Sequence, residues 1–191
     1  MLYSIHNNCI SITVHKHGVQ LQSIRDADGT EYLWQGDPSY WEDQSPNLFP
    51  YIERMIGKRY FYKGHEYPME IHGFASRSDF EIVEQEQSRL VFQLCHSEET
   101  LRQYPWKFRF RIEYTISGRK SVSIFYPQMD YIGFWHMLKT RAPYVCIEPW
   151  SSLPSGNGER TDLENQENLL ALAPGKTYCN RWSVELKQAG V

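Results

Sequence analysis

The sequence predicts an all-β protein, and three observations indicate this. Apolar and polar residues alternate with a period of two along several short runs, most clearly at residues 10–14 and 108–116. The chain is rich in aromatic residues, with 13 Tyr, 9 Phe and 6 Trp, and these types favour strands. No segment has the spacing of a long amphipathic helix. At 191 residues we expect one domain over residues 1–191 with a substantial core.

The predicted strands are, in chain order, residues 10–14, 19–24, 32–34, 60–62, 66–67, 80–82, 90–94, 108–116, 122–126 and 182–186. Turn residues separate them: Asp-Ala-Asp-Gly at 26–29, Lys-Gly at 63–64 and Ser-Gly-Arg-Lys at 117–120. The last of these turns predicts that residues 108–116 and 122–126 form a hairpin. Residues 38–50 and 151–168 are predicted loops, and Ser97 is a predicted N-cap of one short helical turn that Pro105 ends.

Charge and composition bear on partners and location. The net charge of -3 and the pI near 6.2 argue against a nucleic-acid or membrane-surface partner. The N-terminus has no pattern of a signal peptide, and no apolar run approaches the roughly 20 residues of a membrane span. The four cysteines are widely spaced and predict reduced thiols. We therefore expect a cytoplasmic protein without a membrane partner.

Motifs for common chemistries are absent from the sequence. It contains no G-x-S-x-G elbow, phosphate-binding glycine loop, H-E-x-x-H pair or dinucleotide fingerprint. His15 and His17 lie two residues apart on a predicted strand face, but no third metal ligand is near them in sequence. We expect neither a metal nor a cofactor.

The stretch Val145-Cys146-Ile147-Glu148-Pro149-Trp150 places a carboxylate in an apolar run. Burying Glu148 is unfavourable unless the group is hydrogen-bonded or acts as a base. Trp150 offers an apolar face of the kind that stacks on sugar rings. The alternative is a strand end where Glu148 points to solvent. His72 likewise is either an ordinary loop residue or a site residue, with Gly73 beside it permitting an unusual backbone or a close ligand approach.

An ordered set of motifs resembles the aldose 1-epimerase (galactose mutarotase) family, particularly its bacterial mutarotase-like branch. The motifs are Asn47-Leu48-Phe49-Pro50, Arg54, Gly64 with Tyr67, His72-Gly73-Phe74-Ala75, Thr100-Leu101 with Tyr104-Pro105, Cys146 to Trp150, and Ala173-Pro174-Gly175. The resemblance implies a large antiparallel β-sandwich, the galactose mutarotase-like supersandwich, here shortened, with a sugar site in an open cleft. It also implies a small-molecule partner, a hexose or hexose derivative, and no cofactor.

The resemblance assigns roles to particular residues. Glu148 matches the base that takes the proton of the anomeric hydroxyl, and His72 matches a histidine beside the reacting oxygen. Arg54 matches the substrate-binding arginine, and Asn47 and Trp150 complete the expected substrate contacts. Ring opening, rotation of the aldehyde and ring closure then interconvert the α and β anomers by acid and base catalysis.

The chain departs from the family pattern in its middle. A family stretch with the general-acid histidine is missing, and the apparent deletion lies near residues 117–122. We therefore expect impaired epimerase activity unless His72, the second predicted catalytic residue, takes over as the acid. We also expect a homodimer, or aggregation, through sheet edges that the missing strands leave exposed. The alternatives are a non-catalytic carbohydrate-binding or regulatory protein using the same cleft, and a plain β-sandwich interaction domain.

Overall fold

The computed structural model describes residues 1–117, 123–125, 127–153 and 162–185. This part of the chain is built from strands, with one six-residue α-helix, α1, and the all-β prediction is confirmed. The elements are β1 (Leu2–His6), β2 (Ile10–His15), β3 (Gln20–Asp26), β4 (Arg59–Tyr62), β5 (His65–Pro68), β6 (Glu81–Gln85), β7 (Arg89–Cys95), α1 (Glu98–Gln103), β8 (Arg109–Thr115), β9 (Ser123–Phe125), β10 (Tyr131–Trp135), β11 (Cys146–Trp150) and β12 (Ser183–Glu185).

Two antiparallel three-stranded sheets form the main sandwich. Strands β1, β2 and β3 make one sheet, and β6, β7 and β8 make the other. Their apolar faces enclose one core, to which β2 contributes Ile12 and Val14 and β7 contributes Leu90 and Phe92. The alternation along residues 10–14 thus reflects one buried face of the first sheet, whereas in β7 Val91 on the opposite face is buried as well.

A second core lies beside the first and is mostly aromatic. The β4–β5 hairpin supplies Tyr60 and Tyr67, which stack with ring centroids 5.2 Å apart. Phe49 packs against both cores and stacks on Phe110 of β8 at 4.5 Å. Aromatic pairs of this kind stabilise by about 0.5–1.5 kcal/mol each beyond burial. The loop at residues 38–50 is therefore anchored at its C-terminal end.

The predicted hairpin of residues 108–116 with 122–126 is wrong. In the described residues β8 pairs with β7, and β9 pairs with β12 near the C-terminus instead. Residues 118–122 of the predicted turn and apparent deletion lie outside the described residues, as do Tyr126 and Leu186 of the predicted strands. Local alternation identifies strands but carries no information on a partner 60 residues away.

The other local predictions on this part of the chain are confirmed. Ser97 caps α1, accepting a hydrogen bond from the peptide N–H of Thr100 while the Thr100 hydroxyl accepts one from the peptide N–H of Ser97. Strands β4 and β5 turn at Lys63 and Gly64. Residues 32–34 are the exception, since they form no extended strand and only Glu31 makes an isolated bridge with Arg25.

Two further contacts join the segments that follow β9 to the N-terminal half. Residues 162–169 lie against β4, where the peptide N–H of Leu163 donates to the carbonyl of Phe61. The β10–β11 hairpin is held by an aromatic cluster. Its members are Trp34 and Trp41 from the N-terminal half, and Trp135 and Tyr144 from the hairpin. This cluster positions the strand that carries Glu148.

Candidate active site

His72 is held by two hydrogen bonds to one residue. Its peptide N–H donates to the Glu53 carbonyl at 2.9 Å, and its Nδ1 accepts from the Glu53 peptide N–H at 2.9 Å. Its backbone lies in the left-handed region with a φ of 64°, which is uncommon for a residue with a side chain. Because Nδ1 is an acceptor, this pattern assigns the proton of the neutral imidazole to Nε2. His72 thus presents an N–H donor on the side away from Glu53.

Gly73 explains how the chain reaches this conformation. Its φ is 72°, and a Cβ there would lie 2.2 Å from the carbonyl oxygen of Phe49. That oxygen also accepts the peptide N–H groups of Phe74 and Ala75. The unusual backbone predicted at Gly73 is confirmed, and the group that approaches it is the backbone of the Asn47-Leu48-Phe49-Pro50 motif rather than a ligand. The two motifs are therefore one structural unit.

Burial lowers the pKa of the His72 imidazole below its ordinary value, and the positive charges of Arg77 and Arg54 act in the same direction. The carboxylates of Glu53 and Asp43 oppose this shift. Arg54 is exposed and, within the described ranges, forms no salt bridge. The His72 imidazole, whose pKa is lowered, therefore lies within the field of a guanidinium that has no salt-bridge partner in the described part of the chain, and both groups can donate hydrogen bonds to hydroxyl oxygens.

Glu148 lies on β11 directly opposite Gly133 of β10 and is half-buried. Burial raises the pKa of its carboxyl above the ordinary value, while a hydrogen bond from the Trp150 indole acts in the opposite direction. The indole Nε1 lies 3.3 Å from Oε2 of Glu148. A carboxylate with a raised pKa is a stronger base than one in water, which fits the predicted role.

Asn47 lies in the loop before Phe49. Its amide nitrogen donates to the carbonyl oxygens of Val19 at 2.7 Å and of Gly18 at 3.1 Å. The Tyr114 hydroxyl donates to the same Val19 oxygen at 2.8 Å. These bonds anchor the loop to the first sheet, so the predicted substrate contact of Asn47 stays a prediction.

The predicted site residues fall into two groups. His72 and Arg54 lie together, and Glu148 and Trp150 lie together on β11. Among the described residues no hydrogen bond or salt bridge joins Glu148 to His72 or Arg54. The charges that shift the pKa of His72 come from neighbouring segments rather than from Glu148.

The loop at residues 38–50 spans the two groups. Trp41 contacts Trp135 of the Glu148 hairpin with ring centroids 5.3 Å apart. Two residues later, the charge of Asp43 acts on His72. Sequence reasoning did not single out Trp41 or Trp135 because neither belongs to a motif, and their contact joins positions 94 residues apart in the chain.

Other features of the described residues lie away from these two groups. No cluster of three or more His, Cys, Asp or Glu side chains in this part of the chain has the geometry of a metal site. His17 instead bonds Asp79 at 2.8 Å. A groove of about 660 Å³, lined in part by Gln128, Arg181 and Trp182, includes none of the predicted site residues. None of the described helices has the length and apolar character needed to cross a bilayer.

Comparison with known proteins identifies the family. The family model described as aldose 1-epimerase matches residues 1–128. This chain belongs to the aldose 1-epimerase family. The match covers the His72 and Arg54 group, whereas Glu148 lies beyond its end.

Individual relatives give the extent of the similarity. Protein LacX, encoded on a plasmid of Lactococcus lactis subsp. lactis, is 33% identical over 124 residues, and its chromosomal counterpart is 32% identical over the same length. The match covers 62% of this chain but 42% of LacX, so the chain aligns with about two fifths of these relatives.

Solved structures share the fold over a longer range. The galactose mutarotase related enzyme from Lactobacillus acidophilus has a TM-score of 0.84 at 23% identity, covering 96% of this chain and 95% of that chain. A galactose mutarotase-like protein from Lactobacillus casei ATCC 334 has a TM-score of 0.86 at 18% identity, covering 97% and 99%. The predicted galactose mutarotase-like sandwich is therefore confirmed as the fold.

Proposed function

We propose that this protein binds a hexose or hexose derivative and interconverts its α and β anomers slowly. The carboxylate of Glu148 takes the proton of the anomeric hydroxyl while the bond from C1 to the ring oxygen breaks, solvent water protonates the ring oxygen, and C1 becomes an aldehyde carbon. After rotation about the C1–C2 bond, the ring hydroxyl adds to C1 and loses its proton to water, and Glu148 returns its proton to the aldehyde oxygen, which gives the other anomer. Membership of the family supports this reaction class, and the half-buried Glu148 with its raised pKa is the observation that carries the proposal.

His72 and Arg54 have binding roles in this proposal. The Nε2–H of His72 donates a hydrogen bond to a sugar oxygen, and the Arg54 guanidinium binds hydroxyl groups. Asn47 and Trp150 are the remaining proposed substrate contacts, and the single domain over residues 1–191 and the cytoplasmic location also stay predictions.

His72 is poorly suited to replace the missing general acid. Protonation of its Nδ1 would abolish the hydrogen bond from the Glu53 peptide N–H, and burial with the nearby arginines already disfavours the imidazolium. Loss of a positioned general acid reduces a rate by about 10²–10⁴-fold. We therefore expect mutarotation well below the rate of family members that have a complete acid and base pair.

Polarimetry of freshly dissolved α-glucose or α-galactose tests this proposal. Added protein should accelerate mutarotation modestly, and Glu148→Gln should abolish the acceleration. Glu86→Gln is the matched control, since Glu86 is exposed in the turn between β6 and β7. Equal loss of activity in both variants, or a rate equal to that of complete family members, would contradict the proposal.

A non-catalytic carbohydrate-binding protein is the second candidate. It is favoured by the environment of His72, whose Nδ1 accepts from the Glu53 N–H and whose lowered pKa disfavours the imidazolium that an acid requires. In that case sugar changes tryptophan fluorescence, Glu148→Gln keeps most of the affinity, and neither protein accelerates mutarotation. A plain interaction domain shows no fluorescence change with sugar at all.

A further inference from the structure

Glu148, Gly133 and Trp150 share one face of the β10–β11 hairpin. Glu148 is directly opposite Gly133, and Trp150 is directly opposite Tyr131. Residues two apart on a strand point to the same face, so Trp150 and Gly133 are diagonal neighbours across the strand pair. Diagonal positions are within reach of aromatic side chains.

Gly133 leaves the space that the Trp150 indole occupies. A Cβ at Gly133 would lie 2.4 Å from Cζ2 and 2.6 Å from Cη2 of the indole. Gly133 lies within a strand and has no positive φ, so its backbone accepts any residue. The requirement for glycine at this position is therefore one of space alone.

The indole placed over Gly133 reaches the carboxylate of Glu148. Its Nε1–H donates to Oε2 at 3.3 Å. Within the described residues the Glu148 side chain makes no other hydrogen bond. A donor of this kind fixes one oxygen and leaves the other to meet a substrate. Trp150 is also the first residue with a donor after Glu148, since Pro149 between them has no N–H.

We propose that Trp150 is a positioning residue for Glu148, and that Gly133 provides the space that allows its indole to orient the carboxylate. This differs from the sugar-stacking role that the sequence suggests for Trp150. Its catalytic meaning rests on the proposed function, whereas the contact itself does not. An experiment on the free protein therefore separates the two.

Nuclear magnetic resonance of the indole groups tests the contact in the free protein, without any sugar. The six tryptophans give six indole N–H signals when their nitrogen is labelled. One signal, which Trp150→Phe removes, should shift with pH at the same midpoint as the Glu148 carboxyl carbon. Glu148→Gln should abolish this pH dependence. If no indole signal follows the Glu148 titration, the proposal is wrong.

Substitutions then test the two roles separately. Trp150→Phe removes the donor, so the Glu148 titration should move to higher pH, because hydrogen bonding to the charged form is lost. Trp106→Phe is the matched control, since Trp106 packs on Tyr62 and Tyr104 in the second core. A shift of equal size in the control variant would contradict a specific contact.

A double-mutant cycle tests the space at Gly133. Gly133→Ala should lower the urea midpoint of unfolding, and the same change made in Trp150→Ala protein should have a much smaller effect. Equal effects in both backgrounds would overturn the role of Gly133. If mutarotation is detectable, the rising limb of its pH profile should shift to higher pH in Trp150→Phe. If the indole signal follows the Glu148 titration but no mutarotation is found, the proposed function is refuted and the contact between Trp150 and Glu148 stands.

Discussion

Gly73→Ala probes the contact that unites the two N-terminal motifs of the site. The alanine would face two unfavourable terms. A φ of 72° costs an alanine about 1–2 kcal/mol relative to glycine. Its Cβ would also lie 2.2 Å from the oxygen and 2.5 Å from the carbon of the Phe49 carbonyl, and that oxygen already accepts two peptide N–H groups. Relieving such overpacking costs about a further 1–3 kcal/mol.

Gly64→Ala is the matched control for backbone strain. Gly64 has a φ of 76°, nearly that of Gly73, but a Cβ there would meet nothing within 4 Å. The control should therefore lose about 1–2 kcal/mol of unfolding free energy, and Gly73→Ala about 2–5 kcal/mol.

Urea unfolding with a shared slope measures the difference between the two variants directly. In a thermal scan each kcal/mol corresponds to about 2–4 °C for a chain of this size. Gly73→Ala should also weaken sugar binding, because the carbonyl of Phe49 and the bonds that hold His72 share one short segment. If Gly73→Ala is no less stable than Gly64→Ala, the close approach does not exist and the reasoning about His72 fails with it.

Three further predictions concern the site and the hairpin. The pKa of Glu148 is raised in the folded state, so its ionisation destabilises the fold as pH rises through that pKa. At neutral pH Glu148→Gln should therefore unfold at a higher urea concentration than wild type. A lower urea midpoint for the variant would contradict this. Because the pKa of His72 is lowered, stability is present above the ordinary value of about 6.5 and declines as pH falls below it. His72→Asn keeps an acceptor for the Glu53 N–H, and asparagine tolerates positive φ. The variant should therefore lose this decline in stability and bind sugar more weakly. If urea titrations show the same pH dependence as in wild type, this prediction is wrong. Phe134 of β10 is 67% exposed, and Ile147, its partner on β11, is 37% exposed. Sedimentation should therefore show a homodimer that Phe134→Lys weakens and that the control Leu172→Lys leaves intact. A wild-type monomer would refute this prediction.

Parts of the site were readable from the sequence because they depend on neighbours in the chain. Glu148 was singled out as a carboxylate in an apolar strand, and it is half-buried with a raised pKa. Gly73 was singled out beside His72 as a position for an unusual backbone, and its φ of 72° lies in the left-handed region. Both inferences used only local chemistry, namely desolvation of a charge and the absence of a side chain.

Other parts depend on contacts between distant segments. Two hydrogen bonds to the backbone of Glu53, 19 positions earlier in the chain, orient His72. No pattern in the sequence marks the carbonyl and peptide N–H of Glu53 as its partners. The space at Gly133 has meaning only when β10 is placed in register with β11. The wrong hairpin at residues 117–120 has the same origin, since β9 prefers a partner near the C-terminus.

The all-β class, most strand positions, the cap of α1 and the family resemblance could be predicted from the sequence. Period-two alternation, turn residues and motif order are all properties of short stretches, and they are visible without the fold. Three features required the tertiary structure: the pairing of the strands, the approach of the Phe49 carbonyl to Gly73, and the hydrogen bond from the Trp150 indole to Glu148. It also placed the loop at residues 38–50 against the hairpin that carries Glu148, with Asp43 of the same loop close enough to His72 to act on its charge. The physical reason is that a hydrogen bond or ring contact is decided by distance in space, which local sequence patterns do not encode.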